Sequence, residues 1–76
     1  MKSLLQTIVR AIVDQPDAVH IEQHDGSNTC ILELSVHKDD VGKVIGKKGS
    51  NANAIRTLLD ACGGRDKKKY ILEILE

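Results

Sequence analysis

The chain has 76 residues, of which 41% are hydrophobic and 29% are charged, and its formal net charge is zero. A chain of this length forms one small domain, which has too little interior for both a hydrophobic core and a deep, walled active site. The composition is that of a soluble globular protein and excludes a disordered chain.

The charges are unevenly distributed along the chain. Residues 1–37 carry two basic and five acidic side chains, a balance of −3, whereas residues 38–76 carry nine basic and six acidic side chains, a balance of +3. This asymmetry predicts a local positive field in the C-terminal half, which the net charge hides. A nucleic-acid partner is therefore compatible with a neutral chain.

The sequence predicts neither a membrane span nor a secreted protein. No segment approaches the roughly 20 apolar residues of a transmembrane helix. Gln6, Thr7 and Arg10 interrupt the apolar run near the N-terminus, and no cleavage site for a signal peptide follows. The two cysteines, Cys30 and Cys62, have no spacing typical of a disulfide scaffold or a metal site. A reducing cytoplasm is the expected location.

The N-terminal half predicts a helix followed by a hairpin. From Ser3 to Val13 apolar residues recur at three- and four-residue spacing, which is typical of an amphipathic helix that ends before Pro16. Residues 18–24 and 29–36 read as strands, and residues 25–28 between them are typical of a turn. The residues of the second strand that would share one face are Cys30, Leu32, Leu34 and Val36.

The C-terminal half predicts two helices. Asp39-Asp40 is expected to cap a short helix over residues 41–45, which ends at Gly46. Ser50 is expected to cap a second helix, which ends at Gly63-Gly64. The stripe of this second helix that would be buried comprises Ala52, Ile55, Leu59 and Cys62.

A last strand over residues 70–75 completes the predicted fold. A strand that is joined through helices to another strand is normally a crossover between parallel strands. Together with the preceding hairpin, this predicts a mixed three-stranded sheet with three helices packed on one face. The fold class is therefore α+β, with the element order helix, strand, strand, helix, helix, strand, as a single domain over residues 1–76.

The segment Gly46-Lys47-Lys48-Gly49, between the two predicted helices, is the motif that carries chemistry. Two glycines three residues apart allow a tight turn in which backbone N–H groups can approach an anion closely. The N-terminus of the following helix adds partial positive charge at the same place. Lys47 and Lys48 add two full charges, so a backbone phosphate is the natural ligand.

This motif carries a resemblance to a known family. The run Val44 to Gly49, followed by Ile55-Arg56, resembles the V-I-G-x-x-G signature of KH domains, and the element order resembles the bacterial type II KH arrangement. Over essentially its whole length the chain is similar to the KhpA family of small bacterial KH proteins. The resemblance implies a loop that clamps the backbone of about four nucleotides of single-stranded RNA.

The resemblance also implies an apolar groove beside the loop, which Val44, Ile45, Ile55 and strand residues near Leu32 and Leu34 would line or support. It implies a homodimer, or a heterodimer with a larger KH-containing protein of the KhpB/Jag type. An RNA chaperone or post-transcriptional regulator, linked to cell elongation and division, is the implied role. The residues expected to bind RNA are Lys43, Val44, Ile45, Gly46, Lys47, Lys48, Gly49, Ser50, Asn53 and Arg56.

One departure from the family concerns charge. Family members often carry basic residues directly after the second loop glycine and again three residues later, where this chain has Ser50 and Asn53. Fewer phosphate contacts are then available, and the salt dependence of binding should be shallow. Useful affinity is expected to need a second domain beside this one.

Other kinds of site fit the sequence poorly. A nucleotide P-loop requires G-x-x-x-x-G-K-[ST] after a strand, whereas Gly42 is too close to Gly46. His20 and His24 share a strand face, but no nearby cysteine or carboxylate is expected to complete a metal site, so no metal or other cofactor is predicted. No nucleophile or carboxylate pair is arranged for catalysis, so the chain is not expected to be an enzyme. Tyr70 is the only aromatic residue, which disfavours folds that stack bases on rings.

Two surfaces stay open to interpretation. Residues 67–69, three lysines, are either a solvated entry to the last strand or a second phosphate contact. If the helices cover Tyr70, then Ile31, Ile71 and Leu75 lie on the open face of the sheet, as a partner surface or as scattered surface residues. The alternative to an RNA-binding module is therefore a protein-interaction adaptor whose KH fold serves mainly for dimerisation.

Overall fold

A computed structural model describes residues 1–75 and confirms the predicted α+β class. Short 3-10 turns occupy Pro16–Ala18, Lys38–Asp40 and Lys47–Gly49. The main elements are α1 (Lys2–Ile12), β1 (His20–Asp25), β2 (Thr29–Ser35), α2 (Val41–Ile45), α3 (Ser50–Asp66) and β3 (Lys69–Ile74).

The three strands form the predicted mixed sheet in the order β1-β2-β3. β1 is antiparallel to β2, and β2 is parallel to β3. Residues of the central strand β2 alternate strictly between buried and half-buried, because the helices cover one face of the sheet only. The connection from β2 to β3 runs through α2 and α3, so the loop between these two helices lies within a crossover between neighbouring parallel strands.

The core lies between the sheet and the helices. Each of its aliphatic side chains contributes about 1.5–3 kcal/mol by its removal from water. The core side chains that are at most 2% exposed come from helices and strands alike: Leu5, Val9, Ile21, Cys30, Leu32, Leu34, Val44, Ile55 and Leu59. Because α2 and α3 both supply residues to this cluster, the two ends of the loop between them are anchored in the core.

The predicted cap of α3 was wrong, and the predicted cap of α2 has the right position but no capping hydrogen bond. Asp40 occupies the N-cap position of α2 but makes no side-chain capping bond; the residue is 1% exposed, and its carboxylate accepts the backbone N–H of Gln15 at 3.0 Å, which ties the segment after α1 to the start of α2. Ser50 lies inside α3 with helical dihedral angles (φ −60°, ψ −42°), and Gly49 takes the N-cap position in a left-handed conformation. The local residue types suggested caps, but tertiary contacts and the loop conformation decide these positions.

The predicted end of α3 at Gly63-Gly64 was also wrong. The helix continues to Asp66 and ends at Lys67, whose φ of 56° is left-handed. Gly63 occupies a buried position one turn after Leu59, where the chain entering β3 passes too close for a side chain. Cys62, which was expected on the buried stripe, is only half-buried.

Candidate nucleic-acid interface

The loop between α2 and α3 has an unusual backbone. Gly46 (φ 78°, ψ 172°) and Gly49 (φ 76°, ψ 13°) have positive φ, and so does Lys48 (φ 57°, ψ 28°). The conformation of Gly46 is open essentially only to glycine. The backbone conformation at these two positions therefore explains why the motif has glycine there.

The loop leaves backbone donors free. The amide of Gly49 donates to the Gly46 carbonyl at 3.1 Å, and the amide of Ser50 donates to the Lys47 carbonyl. Between Met1 and Leu75, no backbone acceptor pairs with the amides of Lys47 and Lys48. Lys47 is helical and Lys48 left-handed, and this succession turns neighbouring N–H groups into a concavity that binds anions.

Helix α3 adds its dipole to the same place. It has 17 residues, begins directly after Gly49, and has no side-chain cap and no acidic residue in its first turn. The N-terminus of such a helix carries a partial positive charge and favours a negatively charged group. The amides of the loop and the end of α3 therefore attract the same kind of ligand.

The basic residues of the predicted site differ in whether they form ion pairs. Lys47 and Lys48 are exposed, and within the described residues neither forms an ion pair. Lys43, by contrast, forms a hydrogen-bonded ion pair with Asp14, and its Nζ also lies 3.9 Å from Asp40 Oδ1. The bond to Asp14 raises the pKa of Lys43 above its ordinary value of 10.5. The charge of Lys43 is thus already compensated.

Most of the side chains expected to line or support an apolar groove are buried. Leu32, Leu34 and Val44 are fully buried and Ile55 is 2% exposed, so these side chains support the site from the core and cannot line it. Ile45 is half-buried and offers the apolar surface next to the loop. On α3, the exposed members of the expected site are Ser50, Asn53 and Arg56.

Asn51 is a neighbour of the loop that the sequence did not reveal. Its side-chain Nδ2 donates to the Lys43 carbonyl at 2.8 Å, which joins the first turn of α3 to the last turn of α2. Nothing in the local sequence distinguishes Asn51 from Asn53, which lies two residues further on and makes no such contact in the described structure. The contact depends on the loop conformation.

Two carboxylates lie closer to the histidines than the sequence indicated, although with His24 they form a group of three side chains and not a tetrahedral set. The strand register places Glu33 beside His24, with His24 Nε2 2.6 Å from Glu33 Oε1 and 3.9 Å from Glu22 Oε2. Their ligand atoms lie within 4.8 Å of one another. These side chains lie on the open face of the sheet, in the layer opposite the helices, and hydrogen bonding between imidazole and carboxylate accounts for their arrangement.

The three lysines at residues 67–69 lie at the other end of α3 from the loop. A 17-residue helix spans about 25 Å, which separates the two basic regions. Lys68 Nζ lies 3.5 Å from Asp25 Oδ1, so part of this charge is compensated. In residues 1–75 no helix combines the length and the hydrophobicity needed to cross a membrane.

Comparison with known proteins places the whole chain in one group. The family model for the KhpA/KhpB KH domain matches residues 2–74. The RNA-binding protein KhpA of Chlamydia trachomatis is 50% identical over 76 residues, which cover 100% of this chain and 97% of that protein. The proteins of the same name from Caldanaerobacter subterraneus and Halalkalibacterium halodurans are 48% and 43% identical, over 99% and 100% of this chain and 100% of each relative. No solved structure matches.

Proposed function

This chain belongs to the KhpA/KhpB family of KH domains, and on that basis we propose that it is a non-catalytic RNA-binding protein. The loop from Gly46 to Gly49 clamps the backbone of single-stranded RNA. The observation that carries this proposal is the pair of unpaired amides at Lys47 and Lys48, which open onto the N-terminus of α3. The name of the relatives, RNA-binding protein, supports RNA as the polyanion.

The loop contributes to binding in two ways. A phosphate oxygen accepts hydrogen bonds from the two free amides, and the side chains of Lys47 and Lys48 supply charge on either side. Phosphate contacts carry no sequence information, so the module tolerates many sequences. Ile45 offers an aliphatic surface for a base, in keeping with a chain that has one aromatic residue.

The number of free charges sets the expected salt dependence. Lys43 is paired with Asp14, and Ser50 and Asn53 are neutral, so Lys47, Lys48 and Arg56 are the cations left to meet phosphates. Each neutralised phosphate on a single strand contributes about −0.7 to the slope of log K against log salt. Three contacts therefore correspond to a slope of about −2, which is shallow for a nucleic-acid-binding protein.

The double variant Lys47→Asp/Lys48→Asp tests the assignment. We expect loss of binding to a labelled single-stranded RNA in fluorescence anisotropy, with circular dichroism and thermal melting nearly unchanged because both side chains are exposed. The matched control is Lys2→Asp/Lys38→Asp, which changes the net charge equally at exposed positions outside the loop. If the loop variant binds RNA as well as this control does, the loop is not the site.

A second candidate role, as an adaptor, is favoured by the open face of the sheet. Ile31 and Ile71 are directly opposite each other on β2 and β3, on the side that the helices leave free, and Leu75 is 46% exposed. We propose that the part of this face at the edge strand β3 mediates a homodimer or pairing with a larger KH-containing protein. Glu33 and Glu73 are also direct neighbours on this face. Two copies are therefore not expected to pack with these acidic pairs against each other, because like charges would face across the interface.

The cellular role that we propose follows from the family. It is that of a cytoplasmic RNA chaperone or post-transcriptional regulator, active as a dimer or with a second KH protein, and linked to cell elongation and division. The supporting observations are the family match and two cysteines that are both free. Crosslinking the protein to RNA in cells and sequencing the attached RNA tests this role; recovery of no RNA above background would favour the adaptor.

A further inference from the structure

We propose that Asn51 is the positioning residue of the loop, because it keeps the amide of Lys47 free for a phosphate. This inference rests on the proposed function and adds a residue outside the V-I-G-x-x-G motif. Asn51 itself needs no contact with RNA. It acts through the backbone of the two residues that do.

The first observation is which acceptor Asn51 occupies. In a continuing α-helix the carbonyl of Lys43 would accept the amide four residues later, which is that of Lys47. Helix α2 stops at Ile45, and the Gly46 amide makes the last such bond, to the Gly42 carbonyl. Asn51 Nδ2 then donates to the Lys43 carbonyl at 2.8 Å. The side chain of Asn51 thus takes the place of the Lys47 amide, which stays unpaired.

The second observation is how closely Asn51 packs on the loop. A Cβ added at Gly46 would lie 2.7 Å from the Asn51 amide nitrogen and 2.8 Å from Asn51 Cγ. The Gly46 backbone therefore lies directly against both the main chain and the side chain of Asn51. Because Gly46 also has a backbone conformation open essentially only to glycine (φ 78°, ψ 172°), its backbone can shift little relative to α3.

Together these contacts hold a conformation that the loop would not keep by itself. Lys48 has a left-handed backbone that costs energy for any residue with a Cβ, so neighbouring contacts must maintain it. When Asn51 Nδ2 is removed, the Lys43 carbonyl loses its partner, and α2 can extend by one bond to the Lys47 amide. That extension would remove one of the two donors that face the phosphate.

The test compares Asn51→Ala with Thr57→Ala in the full chain. Thr57 Oγ1 donates to the Asn53 carbonyl at 2.9 Å on the same helix, so the control also removes one exposed side-chain hydrogen bond from α3. We expect Asn51→Ala to weaken binding of single-stranded RNA about three- to tenfold, as for one hydrogen bond, and Thr57→Ala to leave it unchanged. The slope of affinity against salt should be the same in both, because no charge is removed.

Amide hydrogen exchange at Lys47 separates positioning from a merely structural effect. The amide should exchange fast in the parent chain and become protected in Asn51→Ala, as it turns to the Lys43 carbonyl. Asn51→Thr, which keeps a hydroxyl donor, should restore part of the affinity and fast exchange. Equal RNA affinity of Asn51→Ala and Thr57→Ala, or an unprotected Lys47 amide in Asn51→Ala, would overturn the inference.

The two proposals fail in different ways. If Lys47→Asp/Lys48→Asp loses RNA while Asn51→Ala binds normally, the loop is the site and Asn51 does not position it. If the double lysine variant still binds RNA, the proposed function itself fails. Should Asn51→Ala fold poorly by circular dichroism, Asn51→Thr is compared with Asn51→Ser. The variant in which the Lys47 amide exchanges faster has its hydroxyl better placed for the Lys43 carbonyl, and that variant must bind RNA more tightly.

Discussion

The carbonyl oxygen of Lys68 lies so close to Gly63 that a Cβ at Gly63 would be 2.3 Å away from it. The amide of Lys68 in turn donates to the Gly63 carbonyl at 2.9 Å. These contacts join the last turn of α3 to the start of β3, with Lys67 left-handed between them. The reversal that closes the crossover thus depends on the absence of a side chain at Gly63.

Two neighbouring glycines should respond to alanine with opposite signs. We expect Gly63→Ala to lower the free energy of unfolding by about 3 kcal/mol, because its methyl group collides with backbone that cannot move freely. Gly64 has no atom within 4 Å of an added Cβ, so Gly64→Ala should raise that free energy by about 0.5–1 kcal/mol. Urea denaturation measures both, and a change of the same sign at the two positions would contradict the close approach.

Glycine substitutions at the two loop lysines should change the stability of the fold in opposite directions, although each removes one positive charge. Lys48 is left-handed, so Lys48→Gly should stabilise the fold by about 0.5 kcal/mol, which is the relief of strain less the extra chain entropy of glycine. Lys47 is helical, so Lys47→Gly should destabilise it by about the same amount. Each variant should reduce the salt slope of RNA binding by about 0.7. Equal melting temperatures for the two would argue against the left-handed conformation of Lys48.

The pKa of Tyr70 should show whether its hydroxyl bonds to Asp66 in solution. Its hydroxyl donates to Asp66 Oδ2 at 2.9 Å, and this bond raises the pKa of Tyr70 above its ordinary value of 10.0. Because Tyr70 is the only aromatic residue, tyrosinate absorbance in a pH titration reports this group alone. Asp66→Asn should lower the pKa of Tyr70 towards 10.0.

The same bond predicts a pH dependence of stability. A folded-state pKa above the unfolded value means that this contribution is complete below the unfolded pKa and is lost as pH rises through the folded pKa. The difference in unfolding free energy between the parent chain and Asp66→Asn should therefore be constant near neutral pH and shrink in alkali. A pKa of Tyr70 that is the same in both proteins would show that the bond does not form in solution.

Substitutions on the open face of the sheet should test where the chain self-associates. If the edge of β3 forms the dimer, Ile71→Glu/Leu75→Glu should halve the mass measured by light scattering, since charges there would be buried at the interface. Leu4→Glu is the control, because Leu4 is 44% exposed on α1 in the other layer. A dimer that survives the double substitution would place the interface elsewhere, with Leu58, 50% exposed on α3, as the next position to test.

Most of the fold follows from patterns that are local in the sequence. The alternation of residues 29–36 predicted the buried face of β2, and the motif between two helices predicted a tight turn, at which Gly46 and Gly49 both have positive φ. The ends of α3 were misjudged because Ser50 and Gly63-Gly64 resemble boundary residues. The loop conformation decides where α3 begins, and the close approach of Lys68 explains the glycine at position 63, which lies inside the helix one turn before its end.

The parts of the site that escaped prediction depend on distant contacts. Lys43 pairs with Asp14, which lies 29 residues away, so its charge could not be judged from the motif. Glu33 reaches His24 only through the strand register. Asn51 contacts Lys43 only because the chain turns back at Gly46. In each case the residue type was visible in the sequence, whereas the partner was set by tertiary structure.

The acidic face of the sheet has a consequence for how the protein meets RNA. Glu22, Glu33 and Glu73 are in register across the three strands on the face opposite the helices, while the lysines of the loop lie in the helical layer. A neutral molecule with separated charges acts as an electric dipole, which a polyanion rotates before it attracts. On the proposed function, we expect this separation of charge to favour encounters in which the loop faces the RNA strand and the acidic face of the sheet points away from it.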